Sequence, residues 1–345
     1  MTTATSAPSV ATRRFPITWP AWGWATIGVV AVWLCIMSVS SGSAWSPLSQ
    51  ALSLAPYLVL VSLGQMLVIT LGPGNIDVSV GTVISMAAYV SVSVGSSAGA
   101  LAGVIAAILA GAAAAVLSVL AILVLRVPPI IATLATSLVV TSLVLILADA
   151  NRGGADASLR AFVTSRVLGI PSIAWLALVV TLIVAFVLKR TTFGRSVAAI
   201  GQSAKAAAKA GLRVRTVTAV TYLLSGTFAG LTGGVLSAYI SPSTVLGTSY
   251  MLDSIAVVVI GGTLIAGGRP VVTGVWAGAL FFVMLSSLLN LVGWSVGEQN
   301  ILKGLLVVLV VVVSSGATGT GKTTLRRLRE MYTPTKKEKV GDLDG

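Results

Sequence analysis

The residues that first suggest chemistry lie near the end of the printed sequence, in the stretch SSGATGTGKTTLRR. Gly316, Gly321, Lys322 and Thr323 fit the pattern G-x-x-x-x-G-K-[ST]. In a phosphate-binding loop of this kind, backbone N–H groups cradle the phosphates, the lysine reaches the terminal phosphates and the hydroxyl binds Mg²⁺. The pattern alone indicates a nucleotide site, and the elements around it decide whether one exists.

The surroundings of this loop argue against a nucleotide site. A working loop needs a buried strand before it, a helix after it and a parallel sheet that supplies an acidic magnesium ligand. An apolar run typical of a membrane span precedes Gly316, and Pro334 and the charged string 336–339 follow Lys322. We therefore expect no ATPase site here, and we interpret residues 316–345 as a basic tail that contacts anionic lipid.

Other catalytic chemistry is scarce in this chain. The sequence contains no histidine, which removes the commonest general base and metal ligand. Cys35 is the only cysteine, so neither an intrachain disulfide nor a multi-cysteine metal site can form. We expect no catalytic residues, no metal site and no cofactor.

One stretch, ITLGPGNIDVSVGTVISMAAY, places polar groups inside apolar surroundings. A Gly-Pro-Gly break at 72–74 is followed by Asn75, Asp77 and Ser79. A carboxylate near the membrane usually faces protein or a water-filled path, and broken helices expose backbone groups that contact solutes. Two interpretations stay open: these side chains line a translocation path, or Asp77 caps the next helix at a plain turn. Asn290, in the later stretch LNLVG, is a fourth path candidate.

A second stretch, KRTTFGRSVAAIGQSAKAAAKAGLRVR at 189–215, is basic throughout and has no acidic residue. Its middle is rich in alanine, a strong helix former, and Gly211 stands where a helix C-cap belongs. The pattern predicts a short cytoplasmic helix between two membrane spans. The alternative is a solvated positive loop that only sets the topology.

The composition of the whole chain defines the elements that carry these segments. Hydrophobic residues make up 56% of the 345 and charged residues only 9%, against about 25% in a soluble protein. The mean hydropathy is +1.01. These values predict an all-α, polytopic membrane protein, a bundle of about ten transmembrane helices, with nine as the alternative. The predicted spans are 23–40, 52–71, 78–95, 99–125, 131–148, 172–188, 216–240, 252–266, 271–293 and 299–315.

The distribution of charge predicts the orientation. When the ten spans are threaded with the N-terminus inside, most of the 22 Lys and Arg residues fall on one side. That side carries residues 1–22, Arg126, segment 189–215, Arg269 and the tail. The opposite side has a few basic residues in 150–170, mixed with acidic ones. The bias predicts that both termini are cytoplasmic, and it accounts for the net charge of +13 without nucleic acid.

The beginning of the sequence permits one alternative. Arg13 and Arg14 precede the apolar run Trp24 to Val39, and small residues follow, which resembles a secretory or twin-arginine signal. We favour an uncleaved first span with its positive flank inside. The predicted division is therefore a cytoplasmic segment 1–22, a membrane domain 23–315 that includes 189–215, and a basic cytoplasmic tail 316–345.

Several ordered motifs resemble one known family. GNIDVSVGTVISMAA, TTFGRSVAAIGQSAKAAAKAGLRV, LDSIAVVVIGGTLIAGGRPVVTGVWAGAL, LNLVG and KGLLVVLVVVV are similar to segments of the permease subunits of bacterial ABC importers for simple sugars, the ribose, xylose and galactose group. The resemblance runs from about residue 50 to 315. One departure lies in the second motif, where Ser203, Ala204 and Lys205 replace the Asn, Pro and acidic residue common in the family.

The resemblance implies a bacterial inner-membrane protein that works with partners: a second permease copy, identical or paralogous, a separate cytoplasmic ABC ATPase and a periplasmic or lipoprotein sugar-binding protein. Segment 189–215 is then the coupling segment, which docks in a groove of the ATPase through small residues. The residues expected to couple to the ATPase are Gly194, Arg195, Gly201, Ala206, Ala207, Ala208 and Gly211.

Other solutes and one other mechanism remain open. The same architecture carries a nucleoside, a branched-chain amino acid or a furanose-like signal molecule as alternative solutes. A proton- or sodium-coupled secondary transporter is the alternative of another class. Against it, the only acidic residues in or near the membrane are Asp77, Asp253 and Glu298, with Lys303 close to Glu298 in the sequence.

Overall fold

The computed structural model describes residues 20–39, 45–151 and 153–317, and these residues are almost entirely helical. Each of the ten predicted apolar segments contains a helix. The elements in the described ranges are α1 (Gly23–Val39), α2 (Trp45–Thr70), α3 (Val80–Ala98), α4 (Ala100–Leu123), α5 (Pro129–Ala150), α6 (Ala157–Thr164), β1 (Arg166–Val167), β2 (Ile170–Pro171), α7 (Ser172–Arg190), α8 (Thr192–Gln202), α9 (Ala204–Lys209), α10 (Val214–Tyr239), α11 (Thr248–Ile260), α12 (Val272–Leu291) and α13 (Val296–Ala317). Most of the N-terminal segment 1–22 and nearly all of the tail 316–345 lie outside the described residues.

The helices confirm the predicted all-α, polytopic class. In the part of the chain that the structure describes, seven helices are long and apolar enough to cross a membrane: α2, α3, α4, α5, α7, α10 and α12. Two further apolar helices are shorter, α1 with 17 residues and α11 with 13. The ten apolar segments are thus ten helices in the described part of the chain, but not ten full-length spans.

Two helices, α2 and α10, form the centre of the bundle. Residues 55–71, which include the C-terminal half of α2 and the residue after it, are buried without interruption. Helix α10 packs closely on α4, where a Cβ placed on Gly111 would lie only 2.2 Å from the carbonyl oxygen of Gly226. Lipid tails are as apolar as leucine, so helices associate in a membrane through such small-residue contacts and through hydrogen bonds.

The loops separate into two ends of the bundle. At one end, the Arg215 guanidinium donates to the Leu123 carbonyl beside the predicted basic turn at Arg126, and the Gly268 N–H donates to the Thr70 carbonyl at 2.9 Å. These are loops that the charge pattern assigned to one face. At the other end, Arg166 donates to the Ser49 hydroxyl at 2.7 Å. The direction of this bundle in the membrane stays a prediction.

The second end carries a small folded element that the sequence predicted only as an external loop. Helix α6 begins at Asp156, whose carboxylate accepts hydrogen bonds from the Ser158 N–H and hydroxyl, and these bonds lower the pKa of Asp156. An antiparallel hairpin, β1 and β2, follows. Its turn residues Leu168 and Gly169 both have positive φ, as a tight type I′ turn requires.

Candidate functional site

The break after α2 forms a buried hydrogen-bonded turn around Asp77, which is 2% exposed. One oxygen of its carboxylate accepts from the Ser79 N–H at 3.0 Å and the Ser79 hydroxyl at 2.6 Å. The other oxygen accepts from the Ser225 hydroxyl of α10 at 2.7 Å. Asp77 therefore closes a hydrogen-bonded turn just before α3, whose N-cap is Ser79, and also ties this turn to the central helix.

Neighbouring helices hold the rest of the same turn. With its amide oriented to satisfy both groups, Gln65 of α2 donates to the Asp77 carbonyl and accepts from the Asp77 N–H. The Tyr222 hydroxyl donates to the Asn75 side chain at 3.2 Å. The Thr133 hydroxyl of α5 accepts from the Val78 N–H at 3.1 Å. In this structure the polar groups of residues 75–79 are directed at protein, and their role in translocation stays a prediction.

The fourth path candidate, Asn290, lies far from this turn. It is exposed near the end of α12, where its side-chain oxygen accepts from the Gln299 amide at 2.7 Å. The adjacent Glu298 accepts from the Ser295 N–H at 2.7 Å and its hydroxyl at 2.8 Å. Asn290 thus belongs to the cap of α13, and the structure does not bring it together with Asn75, Asp77 and Ser79.

Segment 189–215 folds as two short helices, where the sequence predicted one. α8 ends at Gln202, and Ser203, the N-cap of α9, accepts from the Ala206 N–H at 3.2 Å. The predicted C-cap is confirmed, because Gly211 has φ +83 and the Leu212 N–H reaches back to the Ala207 carbonyl at 3.1 Å.

The predicted coupling residues divide between the surface and the interior. Arg195, Ala206, Ala208 and Gly211 are exposed, whereas Gly194, Gly201 and Ala207 are buried. Ala207 is 5% exposed and packs in an apolar cluster with Val68, Ile200 and Tyr222. The assignment of Ala207 to an ATPase-facing surface is therefore not kept, because its methyl group faces the core of its own chain.

Gly201 joins this segment to two breaks in the bundle. A Cβ on Gly201 would lie 1.9 Å from the Thr70 carbonyl oxygen and 2.3 Å from the Gly268 nitrogen. A Cβ on Gly267 would lie 2.3 Å from the Cα of Gly72. We call Thr70, Gly72, Gly201, Gly267 and Gly268 the glycine junction. It connects α8, the end of α2 and the loop before α12 backbone to backbone, so displacement of one part must move the others.

A second polar break, residues 240–247, escaped sequence reasoning. Helix α10 ends at Tyr239, and the chain runs without helix to the start of α11. Ile240, Ser241, Thr244 and Val245 in this stretch are exposed. The run SPST was the available signal, because four polar or helix-breaking residues interrupt an apolar sequence there.

The charged groups near the membrane pair differently from their sequence order. Lys303 of α13 forms an ion pair with Asp253 of α11, with nitrogen and oxygen 3.2 Å apart. Its ammonium also lies 5.9 Å from the Phe282 ring centre. The neighbour suggested by sequence, Glu298, instead binds Ser295. Among the described residues, no group of three or more acidic, Cys or His side chains forms a metal cluster.

The start of the phosphate-loop pattern is also visible. Helix α13 continues through Gly316 to Ala317, so a helix stands where a nucleotide site needs a strand. The remaining residues of the pattern lie outside the described part of the chain.

The bundle of apolar helices with buried breaks and a basic helical segment at one end places the chain in the class of polytopic membrane proteins. The model of the family described as branched-chain amino acid transport system / permease component matches residues 48–313. The chain belongs to this family, and it is an inner-membrane protein.

Curated relatives cover most of the chain. The ribose import permease protein of Bacillus subtilis is 36% identical over 264 residues, 74% of this chain and 80% of the relative. The ribose import permease protein of Escherichia coli K12 is 31% identical over 263 residues, 74% and 81% of the two chains. The autoinducer 2 import system permease protein of Escherichia coli K12 strain DH10B is 29% identical over 269 residues, 77% and 78%. No solved structure gives a significant match.

Proposed function

We propose that this chain is the membrane subunit of an ABC importer that translocates a monosaccharide of the pentose class. The similarity to two ribose import permeases over about three quarters of the chain carries this proposal. The chain supplies the path, a separate ATPase supplies the energy and a binding protein delivers the sugar. We further propose that two permease copies assemble around one path.

The glycine junction supports a mechanism for coupling. When the ATPase closes on ATP, it moves the exposed surface of α8 and α9, which includes Arg195 and Ala208. Because Gly201 contacts the backbone of Thr70 and Gly268, this motion reaches the breaks that flank α2 and α12. The result is a rigid-body switch between outward-open and inward-open states.

The test is uptake by the reconstituted complex of this chain with its ATPase and binding protein. Radiolabelled D-ribose, D-xylose and D-galactose are compared with leucine and with autoinducer 2. Saturable, ATP-dependent uptake of D-ribose or D-xylose supports the proposal, whereas uptake of D-galactose alone supports a sugar importer but contradicts the pentose class. Uptake of leucine or autoinducer 2 alone identifies the solute of another branch of the family, and uptake driven by a proton or sodium gradient without ATP contradicts it.

Coupling is tested with the variant Ala208→Trp. Ala208 is exposed, so the bulky ring should block the docking of the ATPase without disturbing the fold. The ATPase should no longer co-purify, and uptake should fall with it. The matched control is Ser196→Trp on α8. It shows whether a bulky side chain elsewhere on the segment also prevents co-purification of the ATPase and uptake. Normal co-purification and uptake in Ala208→Trp would reduce the segment to a topology signal.

A further inference from the structure

The polar break at residues 240–247, here called the open segment, lies at membrane depth. It follows Tyr239, whose ring centre is 5.8 Å from that of Tyr57, near the middle of the 26-residue helix α2. It ends at Gly247, whose N–H donates to the Ser85 hydroxyl within membrane helix α3 at 3.0 Å. Both ends of the open segment therefore contact the interior of membrane spans.

Irregular backbone at this depth cannot face lipid. Its N–H and C=O groups would lack partners in hydrocarbon, so such backbone occurs only against protein or along a water-filled path. Ser241 and Thr244 of the open segment, and Thr248 and Ser249 after it, are exposed on this chain. Their hydroxyls indicate a path or a partner surface at this position.

Tyr57 adds an independent sign of a ligand. Its side chain is completely buried, and its hydroxyl has no hydrogen-bond partner within the described residues. A buried polar group without a partner is destabilising, and native structures keep few of them. The Tyr239 ring lies just before the open segment and 5.8 Å from the Tyr57 ring, and Tyr250, in the first turn of α11, packs against the same core cluster as Tyr57.

The ion pair between Asp253 and Lys303 lies one helical turn beyond Tyr250 on α11. Its two side chains are only 18% and 13% exposed, with the nitrogen and oxygen 3.2 Å apart. Ionisable groups within membrane bundles face the interior or an aqueous cavity and mark solute pathways. Tyrosine rings and this pair thus lie beside the same irregular backbone.

We propose that Tyr57, Tyr239, Tyr250 and the Asp253–Lys303 pair form a solute-contact site in the translocation path, selective for neutral, polyhydroxylated solutes. The inference rests on the proposed function and adds a binding site within the membrane subunit itself. The tyrosine rings pack on the apolar face of a sugar, and their hydroxyls and the ion pair bond to its hydroxyl groups. Because Tyr57 is completely buried in this structure, a solute reaches its hydroxyl only in a state in which α11 has separated from α2.

The experiment compares Tyr57→Phe with Tyr89→Phe in the complete reconstituted complex. Tyr57→Phe removes only the hydroxyl, and Tyr89 is a buried tyrosine of α3 outside the site. Uptake of D-ribose by Tyr57→Phe should fall about threefold to tenfold, the usual loss for one hydrogen bond. Thermal stability, recovery of the permease pair and ATPase attachment should not fall. Tyr89→Phe should take up ribose at the normal rate.

Three results would overturn the site. Normal uptake by Tyr57→Phe shows that the hydroxyl contacts no solute. Lower uptake accompanied by an equal loss in thermal stability shows a structural role. Dissociation of two permease copies in Tyr57→Phe or Tyr239→Ala shows that this face is a subunit interface. If the unmodified complex imports leucine but none of the three sugars, the proposed function fails. The comparison of Tyr57→Phe with Tyr89→Phe is then repeated with leucine. An equal loss of leucine uptake in Tyr57→Phe would contradict the selectivity of the site for polyhydroxylated solutes.

Discussion

Two breaks interrupt the membrane helices, and they are built in opposite ways. The break at residues 71–79 is closed: Asp77 is 2% exposed and its carboxylate bonds to Ser79 and Ser225. In the open segment, 240–247, Ile240, Ser241, Thr244 and Val245 are exposed. Neighbouring helices bond to the side chains of the first break, whereas the hydrogen bonds given for the second are few and mostly local, such as Leu246 N–H to the Ser243 carbonyl and Gly247 N–H to the Ser85 hydroxyl.

The difference teaches that a broken helix with a carboxylate does not by itself mark a solute path. Asp77 had the stronger sequence signal, since it is a charge in an apolar stretch. In the fold its hydrogen bonds fasten a turn to α10 and so rigidify the core. Exposure of polar residues at membrane depth is a more selective criterion for a solute path, and by this criterion the open segment is the better candidate.

The proposed coupling mechanism gives the closed break a mechanical role through the glycine junction. Gly72 follows the last turn of α2, and Gly201 of α8 packs against it and against Thr70. In the proposed mechanism the closed break transmits motion from the coupling segment, and the open segment contacts the passing solute. Four substitutions or substitution pairs, ordered by the size of the expected effect, test this division of roles.

Gly201→Ala should have the largest effect, because the new methyl group would lie 1.9 Å from the Thr70 carbonyl oxygen and force the junction apart. Uptake should fall about tenfold to a hundredfold, the range of a disrupted coupling contact. The control is Gly304→Ala in α13, where a Cβ meets no atom within 4 Å. Normal coupling of ATP hydrolysis to uptake in Gly201→Ala would show that the closed break does not transmit motion from the coupling segment.

Asp77→Ala should destabilise the permease strongly, because it leaves the Ser79 N–H and the Ser225 hydroxyl without a buried acceptor. Each orphaned group costs about 1–3 kcal/mol. Thermal unfolding of the purified complex measures the loss. The control is Asp156→Ala, which removes the same bond to a serine two residues later, but from an exposed helix end. An unchanged melting temperature together with lost uptake would favour the predicted path role of Asp77 over the structural one.

Lys303→Ala should have an intermediate effect, since it leaves Asp253 uncompensated. A fully buried pair costs roughly 3–5 kcal/mol when one partner is removed, and partial exposure here reduces that figure. The double variant Asp253→Ala with Lys303→Ala should regain most of the stability but not the ribose uptake. Recovery of both would show that the pair is only structural.

Single cysteines should distinguish the breaks with the smallest disturbance. In a Cys35→Ala background, Thr244→Cys in the open segment should react with a water-soluble maleimide, and Ser79→Cys in the closed break should not. Cys35 is exposed, so its removal is required. Protection of Thr244→Cys by added ribose and binding protein would sharpen the comparison. Equal reactivity at both positions would contradict the distinction between a closed break and an open segment.

Much of the fold was predictable because its signals are local. A membrane helix is encoded as a continuous apolar run, so each of the ten predicted segments overlaps a helix, and seven of the helices in the described residues are long and apolar enough to cross a membrane. The end of α9 was equally accessible, since only glycine adopts the φ of +83 at position 211 without strain. The break in α8–α9 at Ser203 was missed because an alanine-rich stretch favours helix on both sides of it.

The candidate sites were less predictable, because their partners come from distant helices. Nothing in the sequence near Asp77 points to Ser225, nor does anything near Lys303 point to Asp253. Ala207 shows the same limit in reverse: an alanine in a basic segment suggested a surface contact, but the packing of Tyr222 and Ile200 buries it.

The sequence by itself determined the class of the protein, the positions of its helices and the family motifs, because each depends on composition within a short window. The tertiary structure alone decided which break is closed, which glycines touch and where the ion pair forms. Apolar residues cover both the lipid-facing and the buried sides of membrane helices, so hydropathy does not reveal which helices meet. Close backbone contacts and hydrogen bonds decide that, and they exist only once the bundle is assembled.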